Sequence, residues 1–576
     1  MPARREPSKR RILIVGLVLA AATAGLVGRL AYLQIVRHEV YAAAARDEHF
    51  GRDVVYARRG AILDRNGHPL ATSVSTFDVY VDRRAWQDGQ VAARAADQLA
   101  AILGRPAAEI YAAAGSGEGE YLLARNIPYE QGLQIQSAGV RGVRLQPSHL
   151  RVYPEGDLAT TLLGFLGRDE VGLTGVERDW NDVLMGEPGV ILYDRDALGR
   201  PIGLSTRRVV PPEPGPDVVL TVDRNIQRMA EERLDRAIRE SGATGGDVVV
   251  LDPYTGEILA MVSRPAFRFS TLDLNDPNQM DLYRPRAITD VYEPGSIMKL
   301  VTMAAGLDTG IITPGTTYED TGYVSVGGWR IANWDYSVNG VQTMTDVLKK
   351  SLNTGSVWVA QALGPERLYH YLSAFGFGQP TGVGLSGEAS GWYRQPDDPL
   401  WSESDLATNS FGQGMTATPL QVAAAVAAIA NGGNLVRPYV VRETVGPDGS
   451  RVTRPETVHR VISEATARTL RGMMNQVVDG VPGHLAQVEG YSVAGKSGTT
   501  SVLAQDGRYG QSTIASFVAF APADDPVAVV LVKIDQPKGL YGATVAAPVA
   551  ADLLRGILTY MKVPPDKPEY VRGGPP

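Results

Sequence analysis

The alternation of apolar and polar positions divides the chain into an apolar amino-terminal run, a mixed section and a longer carboxyl section of strands and helices. Arg4, Arg5, Lys9, Arg10 and Arg11 precede an uncharged stretch at 12–28; Arg29 interrupts it, and 30–36 is again apolar. Together 12–36 reaches about 25 residues, the length of a bilayer span, and exceeds the roughly 7–15 of a cleaved signal. The basic flank then stays in the cytoplasm and everything beyond Val36 lies outside. The small residues 20–24 leave a cleavable signal as the alternative reading, but the apolar pattern runs on past them. No second stretch of comparable length follows.

Further on, ARRGAILDRNGHPLATS (57–73) sets the turn Asp64-Arg65-Asn66-Gly67 between two short apolar runs, which predicts a β-hairpin. Residues 85–145 alternate helical patterns with short extended runs. The run TRRVVPPEPGPD (206–217) has four prolines between Pro211 and Pro216 and predicts a linker, since proline removes a backbone donor and fixes φ. The segment 222–241 has Ile226, Met229, Leu234, Ala237 and Ile238 near one helical face, with Asp223 as N-cap. Residues 246–263 read as two strands joined by a Pro–Gly turn, and 515–522 and 526–535 as two more; 546–561 reads as a closing helix. Helix, strands, a helical middle, strands and helix predict an α+β domain whose antiparallel sheet draws on both ends of the segment.

Composition narrows the chemistry. With 44% hydrophobic and 21% charged residues, the 576-residue chain has a globular composition and room for three or four domains. A net charge of −7 offers no field for nucleic acid. There is no cysteine, and the seven histidines form no metal-ligating pair, so neither disulfides nor a metal cofactor are expected.

Three short motifs carry candidate chemistry. In YEPGSIMKL (292–300), Pro294-Gly295 breaks the chain and Ser296 opens an apolar helix, beside backbone N–H groups suited to an oxyanion. Lys299 shares a face with Ser296, and burial there would strip its charge, so that it could take the serine proton. In KKSLNTGS (349–356), Ser351 and Asn353 form S-x-N, placed in a loop of the helical middle. GYSVAGKSGTT (490–500) fits G-x-x-x-x-G-K-[ST], the phosphate-cradling loop, yet Tyr, Ser, Val and Ala at its variable positions read as strand and no helical period follows Lys496. As a strand edge it places Lys496 beside a groove, with a glycine that lets a substrate backbone lie close. Alone, each motif is more often a cap, a turn or a strand end.

S-x-x-K, S-x-N and K-[ST]-G in this order resemble the penicillin-recognising serine acyltransferases. ARRGAILDRNGHPLA, RVYP, GLTGVERDWNDVLMGEPG, DRDALGRPI, LDPYTGEILAMVSRP and SFGQGMTATPLQ look like segments of class B penicillin-binding proteins, and TDVYEPGS resembles the division type more than the elongation type. The resemblance implies a membrane anchor (12–36) after a short cytoplasmic tail (1–11), then an elongated mixed α/β pedestal (45–210) and a linker (211–217). A transpeptidase domain (218–563) with an antiparallel sheet flanked by helices, and a tail (564–576), complete the chain. It implies acylation of Ser296 by peptidoglycan stem peptides and by β-lactams. Lys299 is then the base, Ser351 a proton shuttle and Asn353 an orienting amide. Lys496, Ser497, Gly498 and Thr499 receive the donor carboxylate, and the N–H groups of Ser296 and Thr499 form the oxyanion hole. Implied partners are the membrane, a polytopic glycosyltransferase and other wall-synthesis or division proteins. A D,D-carboxypeptidase, a β-lactamase, a β-lactam sensor or an elongation transpeptidase on the same fold are the alternatives. Lys-Ser-Gly stands where that family more often has Lys-Thr-Gly, which keeps the hydroxyl. Arg59, Arg151 and Glu177 are expected to pair structurally within the pedestal.

Overall fold

The computed structural model describes residues 9–39, 41, 50–115, 117, 119–194, 208–503, 509–539 and 541–567. Of the segments singled out above, DRDALGRPI beyond Asp194, residues 1–8 of the basic tail and 568–576 of the carboxyl tail lie outside the described residues.

Lys9–Ala31 forms one α-helix, and Tyr32–Val36 continues it with a wider turn. The helix reaches 28 residues, its most apolar 18-residue stretch has a mean hydropathy of 2.1, and none of that stretch is buried against protein. Arg29 does not end the helix; its guanidinium lies 5.6 Å from the Tyr32 ring centre.

The next section is built on the long strand Pro69–Asp82. It pairs antiparallel with Glu120–Pro128 along one edge and Val143–Val152 along the other. Val79, Val81, Trp86, Leu99, Ile110 and Ile135 form its core, beneath helices Gly89–Leu103, Ala107–Ala114 and Tyr129–Ala138. The turn read at 64–67 closes as expected: Gly67 N donates to Asp64 O at 3.0 Å and joins strand Ile62–Leu63 to Pro69–Asp82.

The proline-rich run is docked along its length. Glu187 and Glu213 exchange backbone hydrogen bonds of 3.0 and 2.9 Å, and Gly215 N donates to Arg58 O at 3.0 Å. Strand Asp217–Leu220 then pairs parallel with Ile62–Leu63 and antiparallel with Val441–Gly446. One sheet therefore runs from the pedestal strands into the carboxyl section.

In the carboxyl section a five-stranded antiparallel sheet has the spatial order Ile258–Arg264, Gly245–Leu251, Ala528–Asp535, Tyr509–Ala521, Ala494–Leu503. It draws on both ends of the segment, as the pattern predicts. Alternation with period two splits its side chains. Val248, Val250, Phe517, Ala519, Val530 and Val532 pack under helices Arg224–Ser241 and Gly542–Tyr560. Val249, Leu251, Val518, Phe520 and Leu531 face a helical layer that includes Lys299–Asp308, Asn353–Ala374 and Pro419–Ala430. Every residue of Pro419–Ala430 is buried, which accounts for an apolar pattern all the way round.

Helix Arg224–Ser241 departs from its predicted face in one respect. Asp223 caps it, but Gln227 and Glu231 are also buried. The Gln227 amide completes the sheet edge, accepting from Met261 N at 2.9 Å and donating to Met261 O at 3.1 Å. A side chain that imitates a backbone pair leaves no trace in an apolar pattern.

Candidate active site

Three chain segments more than fifty residues apart supply the site. Ser296 lies in a 3-10 turn, Gly295–Met298, that leads into helix Lys299–Asp308. The expectation placed the serine on the α-helix itself; the tighter turn still puts Lys299 three residues on and beneath it. Gly295 has φ +60, and a Cβ there would meet Thr499 O at 3.2 Å and Thr499 N at 3.4 Å, so the turn lies against the third motif. Gly295 N also donates to Gly412 O at 3.1 Å, which ties the turn to the SFGQG loop.

S-x-N is not in an open loop, as the pattern suggested, but at a junction of two helices. Met344–Lys350 ends at Ser351, whose φ of 57 is left-handed, and Asn353 begins Asn353–Ala374. A non-glycine residue in that region costs about 1–3 kcal/mol and is held there by its surroundings. The reversal aims the Ser351 carbonyl and hydroxyl and the Asn353 amide at one point.

That point is the Lys299 amine. Lys299 Nζ lies 3.0 Å from Ser296 Oγ, 2.6 Å from Ser351 O, 3.2 Å from Ser351 Oγ and 2.8 Å from Asn353 Oδ1. Lys496 Nζ lies 3.0 Å from the same Ser351 Oγ and 3.0 Å from Ser497 O. A continuous chain of contacts therefore runs Ser296, Lys299, Ser351, Lys496. Both lysines are buried, at 0% and 1% exposure. Burial, and then the charge of Lys496, hold Lys299 well below the ordinary lysine range. Burial also brings Lys496 down to about 7. A neutral Lys299 has two N–H groups and one lone pair. With the N–H groups given to Ser351 O and Asn353 Oδ1, the lone pair is left for the Ser296 hydroxyl.

Lys496, Ser497, Gly498 and Thr499 lie on Ala494–Leu503, the outermost strand of the sheet. An edge strand turns alternate backbone N–H and C=O groups outward, which suits an extended peptide and an oxyanion. The strand reading of 490–500, rather than a phosphate loop, is the one the fold adopts. Gly498 has a different reason from the one expected. The space its missing side chain leaves is taken by Pro294 O and Ser516 Oγ, each 2.5 Å from where a Cβ would stand. It admits the protein's own nucleophile turn. Thr499 Oγ1 accepts from Gly542 N at 3.0 Å, so its hydroxyl is partly engaged by the closing helix.

Sequence reasoning passed over several contributors. Ala332 O accepts from Asn353 Nδ2 at 2.9 Å and so fixes which end of the amide faces Lys299. Trp334 and Tyr541, both more than half exposed, approach to 6.1 Å between ring centres beside Gly542. Their only signal is large aromatics in polar loop sequence.

Known proteins share these features. A family model described as the penicillin binding protein transpeptidase domain matches residues 246–555, and one described as the penicillin-binding protein dimerisation domain matches 54–220. The chain is 36% identical over 552 residues to stage V sporulation protein D of Bacillus subtilis, covering 94% of this chain and 84% of that protein. It is 32% identical over 578 residues to peptidoglycan D,D-transpeptidase FtsI of Escherichia coli K12, covering 98% and 95%. The crystal structure of penicillin binding protein 3 from Mycobacterium tuberculosis complexed with aztreonam superposes with a TM-score of 0.69 at 30% identity, covering 90% of this chain and 99% of that one.

Proposed function

The chain belongs to the class B penicillin-binding proteins, and from that membership we propose how its own residues carry out peptidoglycan D,D-transpeptidation through an acyl-enzyme on Ser296. Lys299, neutral at the start, takes the Ser296 proton as Oγ bonds to the carbonyl carbon of the penultimate D-alanine. The outward N–H groups of the turn and of Thr499 carry the developing oxyanion. As the amide C–N bond breaks, Ser351 passes a proton to the departing nitrogen and D-alanine leaves. The amine of a neighbouring stem then attacks the ester, loses a proton through the same residues, and releases Ser296. Lys496, with Ser497 and Thr499, receives the donor's terminal carboxylate. β-Lactams acylate Ser296 by the same path, their strained amide standing in for the donor.

The observation that carries this reading is the Lys299 hydrogen-bond set: two acceptors hold its N–H groups and its remaining lone pair lies 3.0 Å from Ser296 Oγ. Mass spectrometry after penicillin treatment tests it. The adduct should map to the peptide containing Ser296, and Ser296→Ala should take none; an adduct elsewhere would overturn the assignment. Incubation with a donor stem peptide and a D-amino acid separates transfer from hydrolysis, and exchange of the terminal residue is the expected outcome.

The single apolar amino-terminal helix is a membrane anchor. With the basic residues 4–11 on the cytoplasmic side, the catalytic domain faces outward, where peptidoglycan is built. A septal role is supported by TDVYEPGS and by the likeness to FtsI, and a fluorescent fusion should collect at midcell. The two domains matched are a transpeptidase domain and a dimerisation domain, and a polytopic glycosyltransferase is the partner expected at the anchor and pedestal. Photo-crosslinking from 12–36 should recover it.

A further inference from the structure

Asp320 is a buried carboxylate, 1% exposed, at the end of strand Thr317–Asp320. It lies outside the three motifs, and neutral groups supply all of its hydrogen bonds described below. Oδ1 accepts from Gly322 N at 3.0 Å, Asn333 Nδ2 at 3.1 Å and Thr354 Oγ1 at 2.8 Å. Oδ2 accepts from Asn333 Nδ2 at 2.9 Å, Asn339 N at 3.1 Å and Asn339 Nδ2 at 2.8 Å. Asn333 Oδ1 in turn takes the Thr354 N–H at 3.4 Å.

Two of these partners have particular neighbours. Asn333 follows Ala332, whose carbonyl receives Asn353 Nδ2 at 2.9 Å. Thr354 follows Asn353, whose Oδ1 receives Lys299 at 2.8 Å. Asp320 thus grips the chain one residue beyond each side of the Ala332–Asn353 contact. That contact decides which end of the Asn353 amide faces Lys299. Were the amide to turn over, an N–H donor would meet Lys299 and compete with the Ser296 hydroxyl for its lone pair.

We propose that Asp320 is a positioning residue for acylation: by holding Asn333 and Thr354 together it locks the Asn353 amide oxygen toward Lys299 and so aims the lysine lone pair at Ser296. This rests on the acyl-enzyme reading above. The titratable groups around the two centres include Tyr318 and Asp335 near Asp320, Lys350 against the Asn339 amide at 3.4 Å, and Lys496 near Lys299.

The test measures the acylation rate constant for a fluorescent penicillin on the full-length protein in detergent, across pH. Thr354→Val removes the leg to Asn353 and leaves the carboxylate in place with five of its six hydrogen bonds. It should lower the rate about tenfold or more, since small misplacements of reacting groups are costly. Asp320→Asn, which sets an N–H donor against Asn333 and Asn339, should lower it further. In both, the acid limb of the pH–rate profile should move to lower pH, because a turned amide withdraws an acceptor from the Lys299 ammonium. Asn339→Ala removes a leg that leads away from Asn353 and should leave rate and profile near wild type. Loss of thermal stability in all three without movement of the acid limb would show a merely structural role and overturn the proposal. A wild-type protein that labels normally together with an unaffected Thr354→Val overturns this inference alone. A wild-type protein that takes no label overturns the acyl-enzyme reading and this with it.

Discussion

Three fully or nearly buried lysines show how surroundings set a charge. Lys299 and Lys496 meet hydroxyls, carbonyls and an amide, and burial lowers both. Lys533 lies on the neighbouring strand but one, 3.0 Å from Asp247 and 2.7 Å from Asp535, and these carboxylates raise its pKa against the same burial. Opposite substitution effects follow. Lys533→Met leaves Asp247 buried and unpaired, and should cost about 3–5 kcal/mol in chemical denaturation. Lys496→Met should abolish acylation yet raise the thermal midpoint. The unfolded chain holds the Lys496 proton up to the ordinary lysine range, whereas the folded chain releases it near 7, so the cost of burying that ammonium is fullest below about 7 and fades as pH rises. The gain in midpoint should therefore be larger at about pH 6 than at about pH 9. For catalysis the sign reverses: the carboxylate-binding ammonium is lost above about 7, which gives the pH–rate profile its alkaline limb. Lys496→Arg, which keeps its proton, should remove that limb even where the rate is lower.

Among the elements, the nucleophile turn depends on close backbone approach. A Cβ on Gly412 would stand 2.3 Å from Gly295 O and 2.6 Å from Gly295 N, and Gly412 has φ +81. Gly412→Ala should push the turn out of register, lowering both the acylation rate and the thermal midpoint. The sequence displayed the motifs but not these supports. Ser296 and Lys299 were legible because a break followed by an apolar helix is a local pattern, and the sheet because its strands are short, nearly continuous apolar runs bounded by turn residues, buried on both faces. The left-handed Ser351 was not: nothing in KKSLNTGS distinguishes a loop from two helices meeting at a strained residue, because tertiary contacts hold that conformation. Gly498 was legible as a glycine at a close approach, but not what approaches. Asp320 stays hidden because its partners are a glycine, two asparagines and a threonine spread over residues 322–354, residue types that usually signal turns.

At the scale of the molecule, the shared sheet fastens the pedestal to the catalytic section, and a buried ionic cluster within the pedestal braces the chain beside that sheet. Glu177, with no exposed surface, receives Arg59 Nε and Arg151 Nε at 2.7 Å each, and Arg59 also donates to Glu177 O at 2.7 Å. This is the structural pairing expected of these three residues. Arg151 Nη1 goes on to Gly60 O at 2.8 Å, beside the strand Ile62–Leu63 that pairs with Asp217–Leu220. A buried pair adds little over an apolar replacement, but removing one partner strands the others. Glu177→Gln leaves two guanidiniums facing a neutral amide in a closed space, and should cost about 3–5 kcal/mol. Because the same strands bridge both sections, that loss should appear in the unfolding of the catalytic section as well: the temperature at which penicillin labelling fails should fall together with the pedestal's. Labelling that survives unchanged while the pedestal melts would mean that the two sections unfold independently, and that the continuous sheet joins them in geometry without coupling their stability.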